Sequence, residues 1–310
     1  MEKTALTFYL DDTNPYVAPP KAFKQFLDFV DGEGIKGESS VILGYDWEGH
    51  GRLGRPQGDP MEAYIDQVQR AYACGIEAHC ELYTHHGLFD FERRRLPENA
   101  IHEGLWLYEP AVTVEEYQSY FAHILDEADQ LGFHYTGLTW PGCGCEVCTR
   151  RYQELHDAGV TEPNPNLWQA LLSLAQDWRF RGTTVPCFFG GELEVAEARL
   201  QAGEGDYGIY TLPPNAGDRF GIWENDPQYV NTDYYITEDG KTGRIVELVR
   251  AQAPYCLFYA HWQGLNPVNG VGWKAFTQVI KRVHKHLRKQ VEWLRPSEYT
   301  DSIHSANIEE

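Results

Sequence analysis

Basic residues are scarce in this chain of 310 residues. Lys and Arg together number 26, against 46 Asp and Glu, which gives a formal net charge of −20 at pH 7. Proteins that bind nucleic-acid backbone or an anionic membrane through bulk charge need clustered Lys and Arg to neutralise phosphate groups. The composition therefore excludes that class of protein, and we expect neither nucleic acid nor a membrane as a partner.

Extended apolar stretches are missing as well. No segment approaches the roughly 20 consecutive apolar residues that a membrane-spanning helix needs. The opening residues, MEKT, do not form the charged start, apolar middle and small-residue cleavage site of a secretory signal, so we expect a cytoplasmic protein. The 7 cysteines are an odd number and lie mostly in apolar runs or in one cluster. Free thiols are therefore favoured over a disulfide framework.

The chain has enough apolar residues for a sizeable core, since 42% are hydrophobic and 14% are aromatic. Strands are predicted at residues 5–10, 40–44, 76–83, 135–139, 184–189 and 255–260, and two further short runs lie at residues 207–211 and 221–223. Helices are predicted at residues 21–31, 60–74, 114–131, 166–181, 243–250 and 273–294. This alternation favours parallel strands with helices outside them, in a barrel or a doubly wound sheet. We expect one domain over residues 1–299 and a frayed acidic tail over residues 300–310.

Ionisable side chains collect at the predicted strand ends. They are Asp11 and Asp12 after the first strand, His79, Glu81 and His85 on and after the third, and His261 after the strand at 255–260. In a parallel barrel, the C-terminal ends of the strands lie at one face, where loops build the active site. One carboxylate of an adjacent pair can bind a cation while its neighbour stays free as a base. The pattern predicts a functional site at this face.

Several of these segments resemble motifs of the polysaccharide deacetylases, which are family four of the carbohydrate esterases. Residues 8–13 (FYLDDT) resemble the first motif of that family, Thr-Phe-Asp-Asp-Gly, and residues 32–37 (GEGIKG) resemble the approach to its second strand. Residues 75–85 (GIEAHCELYTH) are similar to the region of its His-Ser/Thr-x-x-His metal motif, and residues 257–261 (LFYAH) to its last motif. The resemblance implies an α/β fold, a single distorted (β/α) barrel of about seven parallel strands.

The resemblance also implies roles for five residues. Asp11 would be the general base, Asp12, Glu81 and His85 would bind a divalent metal ion, and His261 would be the general acid. Glu81 stands where the family has its first metal-binding histidine, so the ligand set is harder and more anionic. Such a set suits Zn²⁺, Mn²⁺, Fe²⁺, Co²⁺ or Ca²⁺. The implied activity is metal-dependent removal of an acyl group from an N- or O-acylated sugar or a related amide.

Four residues are candidates for contact with a carbohydrate substrate. Trp140 and Trp262 follow strands and could stack on sugar rings, although Trp is also an ordinary core residue. His79 shares a strand face with Glu81, so it could line the pocket, replace the missing ligand or simply pack. Asp46, after the second strand, is a further pocket candidate. The sequence leaves the oligomeric state open.

Two features keep other interpretations in view. Residues 139–142 (TWPG) stand in place of the Arg-Pro-Pro-Tyr-Gly loop of the deacetylases and have no arginine. A barrel glycosidase using two strand-end carboxyl groups is therefore an alternative, and a non-catalytic carbohydrate-binding barrel is another. Cys143, Cys145 and Cys148 could hold a structural metal if His156 or Cys187 completed the site, or they could remain free thiols.

Overall fold

Nine strands form one curved sheet in the part of the chain that the structure describes. The structure is a computed structural model in which residues 3–44, 59–98, 100–142, 146–189 and 197–309 are described. The strands are β1 (Thr4–Thr13), β2 (Gly37–Val41), β3 (Ile76–Cys80), β4 (Tyr135–Thr139), β5 (Thr184–Phe188), β6 (Arg199–Glu204), β7 (Tyr207–Thr211), β8 (Tyr255–His261) and β9 (Val291–Trp293).

Helices cover the outside of the sheet. They are α1 (Pro20–Glu33), α2 (Asp59–Ala71), α3 (Glu103–Trp106), α4 (Val114–Gln130), α5 (Glu146–Asp157), α6 (Pro165–Gln176), α7 (Thr232–Tyr235), α8 (Arg244–Arg250), α9 (Trp262–Leu265), α10 (Trp273–His286) and α11 (Pro296–Glu309). Local sequence sets several of the ends: α1 stops at Gly34 in a left-handed conformation, and Thr113 and Glu116 form a capping box at the start of α4. Among the described residues, no helix has the length and apolar character that crossing a bilayer requires.

The strand order confirms the predicted distorted barrel. Across the sheet the order is β6-β7-β5-β4-β3-β2-β1-β8, with β9 beside the start of β1. All paired neighbours are parallel except β6 and β7. The sequence predicted about seven strands and missed β6 and β9, because β6 is mostly exposed and β9 has only three residues. Parallel pairing brings the C-terminal ends of β1, β2, β3 and β8 to one face.

Alternating residues of each strand face either the helices or the interior of the curved sheet. On β1, Phe8 lies in the large apolar layer under the helices, whereas Tyr9 belongs to a smaller cluster inside. The Tyr9 ring stacks between Phe188, with ring centroids 4.9 Å apart, and Tyr259, at 5.3 Å. Because side chains alternate with period two, Asp11 points into the same interior as Tyr9. The aromatic stack thus lies below the face where the C-terminal ends of the strands meet.

The last helix closes the N-terminal end of the barrel. The buried carboxylate of Glu77 accepts hydrogen bonds from the backbone N–H of Ser297, at 3.1 Å, and from its hydroxyl. Thr300 is fully buried, and Nδ1 of His304 lies 2.9 Å from the hydroxyl of Tyr210. The predicted frayed tail over residues 300–310 is therefore wrong for residues 300–309, which continue α11 and pack against the sheet.

The helix predicted over residues 273–294 is too long. It ends at His286, and Val291–Trp293 then pair with Thr4, Ala5 and Leu6 as β9. The apolar spacing of the helix continues through Leu287 and Val291, so periodicity alone does not show the stop. Sheet pairing at the start of β1 overrides the local helical pattern here.

Candidate active site

Asp12, Glu81 and His85 meet where β1 and β3 end. Each offers one ligand atom, and these atoms lie within 4.8 Å of one another. Nε2 of His85 is 2.9 Å from Oε1 of Glu81 and 3.5 Å from Oδ1 of Asp12. The structure therefore brings together the three residues that the sequence predicts as metal ligands, from two segments about 70 residues apart in the chain.

An unusual backbone aims these side chains. Asp12, Leu82 and His85 have φ angles of 66°, 57° and 63°, in the left-handed region that residues with a Cβ rarely adopt. Each such residue costs about 1–3 kcal/mol, and such residues cluster at functional sites. The N–H of Asp12 donates to Oε2 of Glu81 at 3.3 Å, which holds the two ligand segments together. The strain thus lies at two of the ligands, Asp12 and His85, and at the residue that follows the third.

The residues present fit a divalent cation. Oε1 of Glu81 is fully buried, and Nε2 of His85 lies 2.9 Å from it. A buried carboxylate is costly unless its charge is matched, and a cation between the two side chains would match it when the imidazole is neutral. The carboxylate of Asp12 is held in place by a hydrogen bond, because Nε2 of Gln263 donates to its Oδ2 at 3.0 Å. Two carboxylates and one imidazole form a donor set that Zn²⁺, Mn²⁺, Fe²⁺ and Co²⁺ accept.

The electrostatics of His85 agree with this fit. Burial lowers the pKa of His85, but the nearby charges of Glu81, Asp12 and Asp11 raise it more, to a net value of about 10. The negative charges that hold a proton on His85 attract a metal cation in the same way. Protons and metal ions therefore compete for Nε2, and metal affinity should increase with pH.

Asp11 lies beside the three ligands without belonging to them. The hydroxyl of Ser40, on β2, lies 3.2 Å from Oδ1 of Asp11 and 2.5 Å from Oε2 of Glu81. Burial, followed by the charges of Glu81 and Asp12, raises the pKa of Asp11 well above the usual value. Ser40 is not predictable from the sequence as a site residue, because a serine inside a predicted strand carries no chemical signal of its own.

His261 faces Asp11 from the neighbouring strand. The parallel register pairs Asp11 with His261, and Nε2 of His261 is 3.8 Å from Oδ2 of Asp11. Nδ1 of His261 donates to Oδ2 of Asp218 at 2.8 Å, and the backbone N–H of His261 donates to the same oxygen at 3.1 Å. Burial lowers the pKa of His261, but the hydrogen bond to Asp218 and the charge of Asp11 raise it, to a net value of about 9. The imidazole is therefore protonated at neutral pH.

Asp218 is the main residue of the site that sequence reasoning missed. It lies in the long loop between β7 and β8, seven residues beyond the end of β7. Its side chain is almost fully buried, and Oδ1 accepts a hydrogen bond from the N–H of Phe220 at 2.8 Å. Because Asp218 is not at a strand end, the rule that places functional residues at strand ends does not identify it. The available signal is chemical: a protonated, buried histidine needs a carboxylate partner.

Two predicted substrate contacts are wrong. Trp262 is fully buried among the helices, with its ring centroid 5.5 Å from that of Phe23, so it offers no face to a sugar. His79 is fully buried inside the barrel, with Nε2 2.8 Å from Oε1 of Glu77. A Cβ on Gly137 would lie 2.5 Å from the His79 ring, so the glycine leaves the space that the imidazole fills. Both side chains are packing residues.

Trp140 is partly exposed after β4, and its role as a sugar platform stays a prediction. Its Nε1 donates to the carbonyl oxygen of Gly104 at 3.3 Å, and its ring contacts Tyr108 edge to face, with centroids 6.1 Å apart. This side chain therefore connects the loop after β4 to the start of α3. Asp46, the other predicted substrate contact, lies outside the described residues.

The cysteine cluster is described only in part. Cys143 and Cys145 lie outside the described residues, whereas Cys148 is buried on α5. Cys148 packs in a small apolar cluster with Leu105 and Leu155. A structural metal at this cluster stays a prediction.

Comparison with known proteins shows a relationship of fold. No protein-family pattern matches the sequence, and no curated protein is similar to it. A protein from Mycobacterium smegmatis described as a polysaccharide deacetylase aligns with 99% of this chain and 92% of its own, with 12% identity and a TM-score of 0.50. At this identity the likeness shows a shared barrel fold.

Two further solved structures align over nearly the whole chain with lower TM-scores. The T48 deacetylase, solved with substrate, has 10% identity over 96% of this chain and 90% of its own, with a TM-score of 0.44. The 4-alpha-glucanotransferase from Thermococcus litoralis has 12% identity over 97% of this chain but only 40% of its own length, with a TM-score of 0.48.

Proposed function

We propose that this chain is a metal-dependent hydrolase that removes an acyl group from an N- or O-acylated sugar or a related amide. The observation that carries the proposal is the convergence of Asp12, Glu81 and His85 beside Asp11, with His261 facing them. The substrate class follows from the motif resemblance and is consistent with a barrel fold shared with a protein described as a polysaccharide deacetylase.

The first part of the reaction needs an attacking water and a base. A divalent cation held by Asp12, Glu81 and His85 would polarise the acyl carbonyl and lower the pKa of a water molecule. Asp11 lies next to these ligands and is free to accept the proton of the attacking water. Its raised pKa makes it a stronger base than an exposed aspartate, while the hydroxyl of Ser40 orients it.

The second part needs an acid for the leaving amine or alcohol. His261 carries a proton at neutral pH, because its pKa lies at about 9. Asp218 accepts the Nδ1 proton, so Nε2 is the atom that faces the site and can donate. Asp11 and His261 lie on adjacent strands with Nε2 and Oδ2 3.8 Å apart, so one substrate can contact both. Base and acid are thus separate groups on adjacent strands.

The carboxylate geometry does not favour a glycosidase built on Asp11 and Glu81. The two carboxyl groups of a glycosidase flank the sugar and are roughly 5 to 9.5 Å apart. Here both carboxylates contact the single hydroxyl of Ser40, on the same side of the site.

Chelation tests the proposed function. A strong chelator should reduce acetate release from acetylated chitooligosaccharides and from para-nitrophenyl acetate by about 1000-fold, because the cation supplies several kcal/mol of charge stabilisation. Adding Zn²⁺, Mn²⁺ or Co²⁺ should restore the rate. The measurement is acetate release by the full-length purified chain before and after metal removal.

Other outcomes would contradict this function. Reducing ends released from the oligosaccharides at a rate insensitive to chelator would indicate a glycosidase. A sugar that raises the melting temperature while no product forms would indicate a carbohydrate-binding barrel. The His261→Gln variant is the control for a contaminating esterase, since a contaminant would hydrolyse acetylated sugars equally well in both preparations.

A further inference from the structure

A buried carboxylate lies against the loop that carries His85. Glu103, at the start of α3, is fully buried. It accepts hydrogen bonds from the backbone N–H groups of Tyr83, Thr84 and His85 at 3.2, 3.0 and 2.7 Å. The hydroxyl of Tyr120 also donates to it, and the hydroxyl of Thr84 lies 3.2 Å from it but closer, at 2.9 Å, to the carbonyl oxygen of Gly87. Four donors therefore satisfy this one buried carboxylate, with the Thr84 hydroxyl beside them.

This carboxylate explains how the loop keeps its unusual conformation. Consecutive backbone N–H groups that point to one anion form a nest, a concave arrangement that the anion stabilises. Leu82 and His85 lie at the two ends of the segment that Glu103 binds, and both have positive φ angles, 57° and 63°. Residues with a Cβ persist in such conformations only when their surroundings hold them there. Glu103 supplies that constraint through three of the backbone amides involved.

The position of Glu103 is itself fixed by two loops. Its own N–H donates to the carbonyl oxygen of His86 at 3.3 Å, which ties it to the loop after β3. On the other side, a Cβ on Gly104 would collide with the carbonyl oxygen of Pro141, so only glycine allows this close approach to the loop after β4. Trp140 donates to the carbonyl oxygen of Gly104. The start of α3 is thus held between the ends of β3 and β4.

We propose that Glu103 is a positioning residue for the metal centre, which orders residues 83–85 so that Nε2 of His85 faces Glu81 and Asp12. Its effect on metal binding rests on the proposed function, because it requires His85 to be a metal ligand. Its effect on the order of the loop is independent of the proposed function. The two effects are therefore measured separately.

Metal affinity is the first measurement. In Glu103→Gln, an amide NH₂ replaces one carboxylate oxygen and opposes backbone N–H donors, so the affinity for Zn²⁺ or Mn²⁺ should fall about 10–100-fold, as for other partners that orient a ligand. Tyr120→Phe removes one donor to Glu103 and should lower the affinity less. Tyr117→Phe is the matched control: Tyr117 lies on the same helix, is buried, and donates to the carbonyl oxygen of Trp106 at 3.0 Å. It should leave the affinity unchanged.

Hydrogen exchange of the metal-free protein is the second measurement. The amides of residues 83–85 should exchange faster in Glu103→Gln, and to a lesser degree in Tyr120→Phe, while Tyr117→Phe matches the wild type. Unchanged exchange in these amides would overturn the role of Glu103, as would wild-type metal affinity in a folded Glu103→Gln protein. If Glu103→Gln does not fold, the same two measurements on Tyr120→Phe decide whether Glu103 has this role. If the wild type binds no metal, the proposed function fails, and exchange alone decides on Glu103.

Discussion

Replacing His85 with alanine should remove cation binding and reduce kcat/KM for acyl release by about 1000-fold or more, because the cation carries several kcal/mol of the stabilisation. His85 is the one nitrogen donor in the group of three ligands, and its ring lies against both carboxylates. Without it, Asp12 and Glu81 form a weaker, purely carboxylate site. The measurements are metal affinity by competition with a fluorescent chelator and kcat/KM on an acetylated oligosaccharide.

His123→Ala is the control for this experiment. His123 is exposed on α4, where its Nδ1 lies 2.7 Å from the carbonyl oxygen of Ser119, away from the ligands. This variant should retain both metal affinity and activity. A His85→Ala protein that still binds one equivalent of metal with wild-type affinity would show that the ligand set is a different one.

Replacing His261 with glutamine should affect substrates according to their leaving group. General acid catalysis contributes about 10²–10⁴-fold, so hydrolysis of an N-acetylated sugar should slow by this factor. Nitrophenolate leaves without protonation, so hydrolysis of para-nitrophenyl acetate should slow much less. Steady-state rates on the two substrates measure the difference. An equal loss on both would indicate that His261 has a structural role or binds the transition state without donating a proton.

Asp218→Asn examines the same group through its pKa. The carboxylate of Asp218 helps to raise the pKa of His261 to about 9, so removing its charge should lower that pKa. The acid form of His261 would then be lost at a lower pH, and the alkaline limb of the kcat/KM profile should shift toward neutral pH. An unshifted limb would show that another group sets it.

The sequence predicts that these side chains meet at one face, because parallel strands impose that geometry. Asp11 and His261 end strands that pair in register, so locating the strand ends is enough to place the two side chains together. Asp12, Glu81 and His85 follow from the same rule together with the motif resemblance. The alternation of strands and helices indicates a barrel or a doubly wound sheet, and the motif resemblance implies the barrel.

The predicted substrate contacts of Trp262 and His79 are wrong because a position near a strand end does not fix the direction of a side chain. Trp262 follows His261 directly, but it begins α9 and turns into the layer under the helices instead of toward the site. His79 shares a strand face with Glu81 but precedes it by two residues on β3. At that depth the interior of the barrel is packed with side chains, and His79 is fully buried. Neither outcome is visible in the periodicity of the strands.

The residues that support the site come from segments without a periodic signal. Asp218 lies in a long loop, and Glu103 begins a helix of four residues. Their partners are a histidine ring and a set of backbone N–H groups, which are brought near them only by the folded chain. The sequence alone can show that such partners are needed, since buried charges require them, but not where they lie.

The most direct test is to locate a bound cation in crystals of the wild-type protein. An anomalous difference map from crystals grown with Mn²⁺ or Zn²⁺ should show one peak about 2.0–2.3 Å from a carboxylate oxygen of Asp12, from Oε1 of Glu81 and from Nε2 of His85. A map at full metal saturation with no peak among these three side chains would contradict the account.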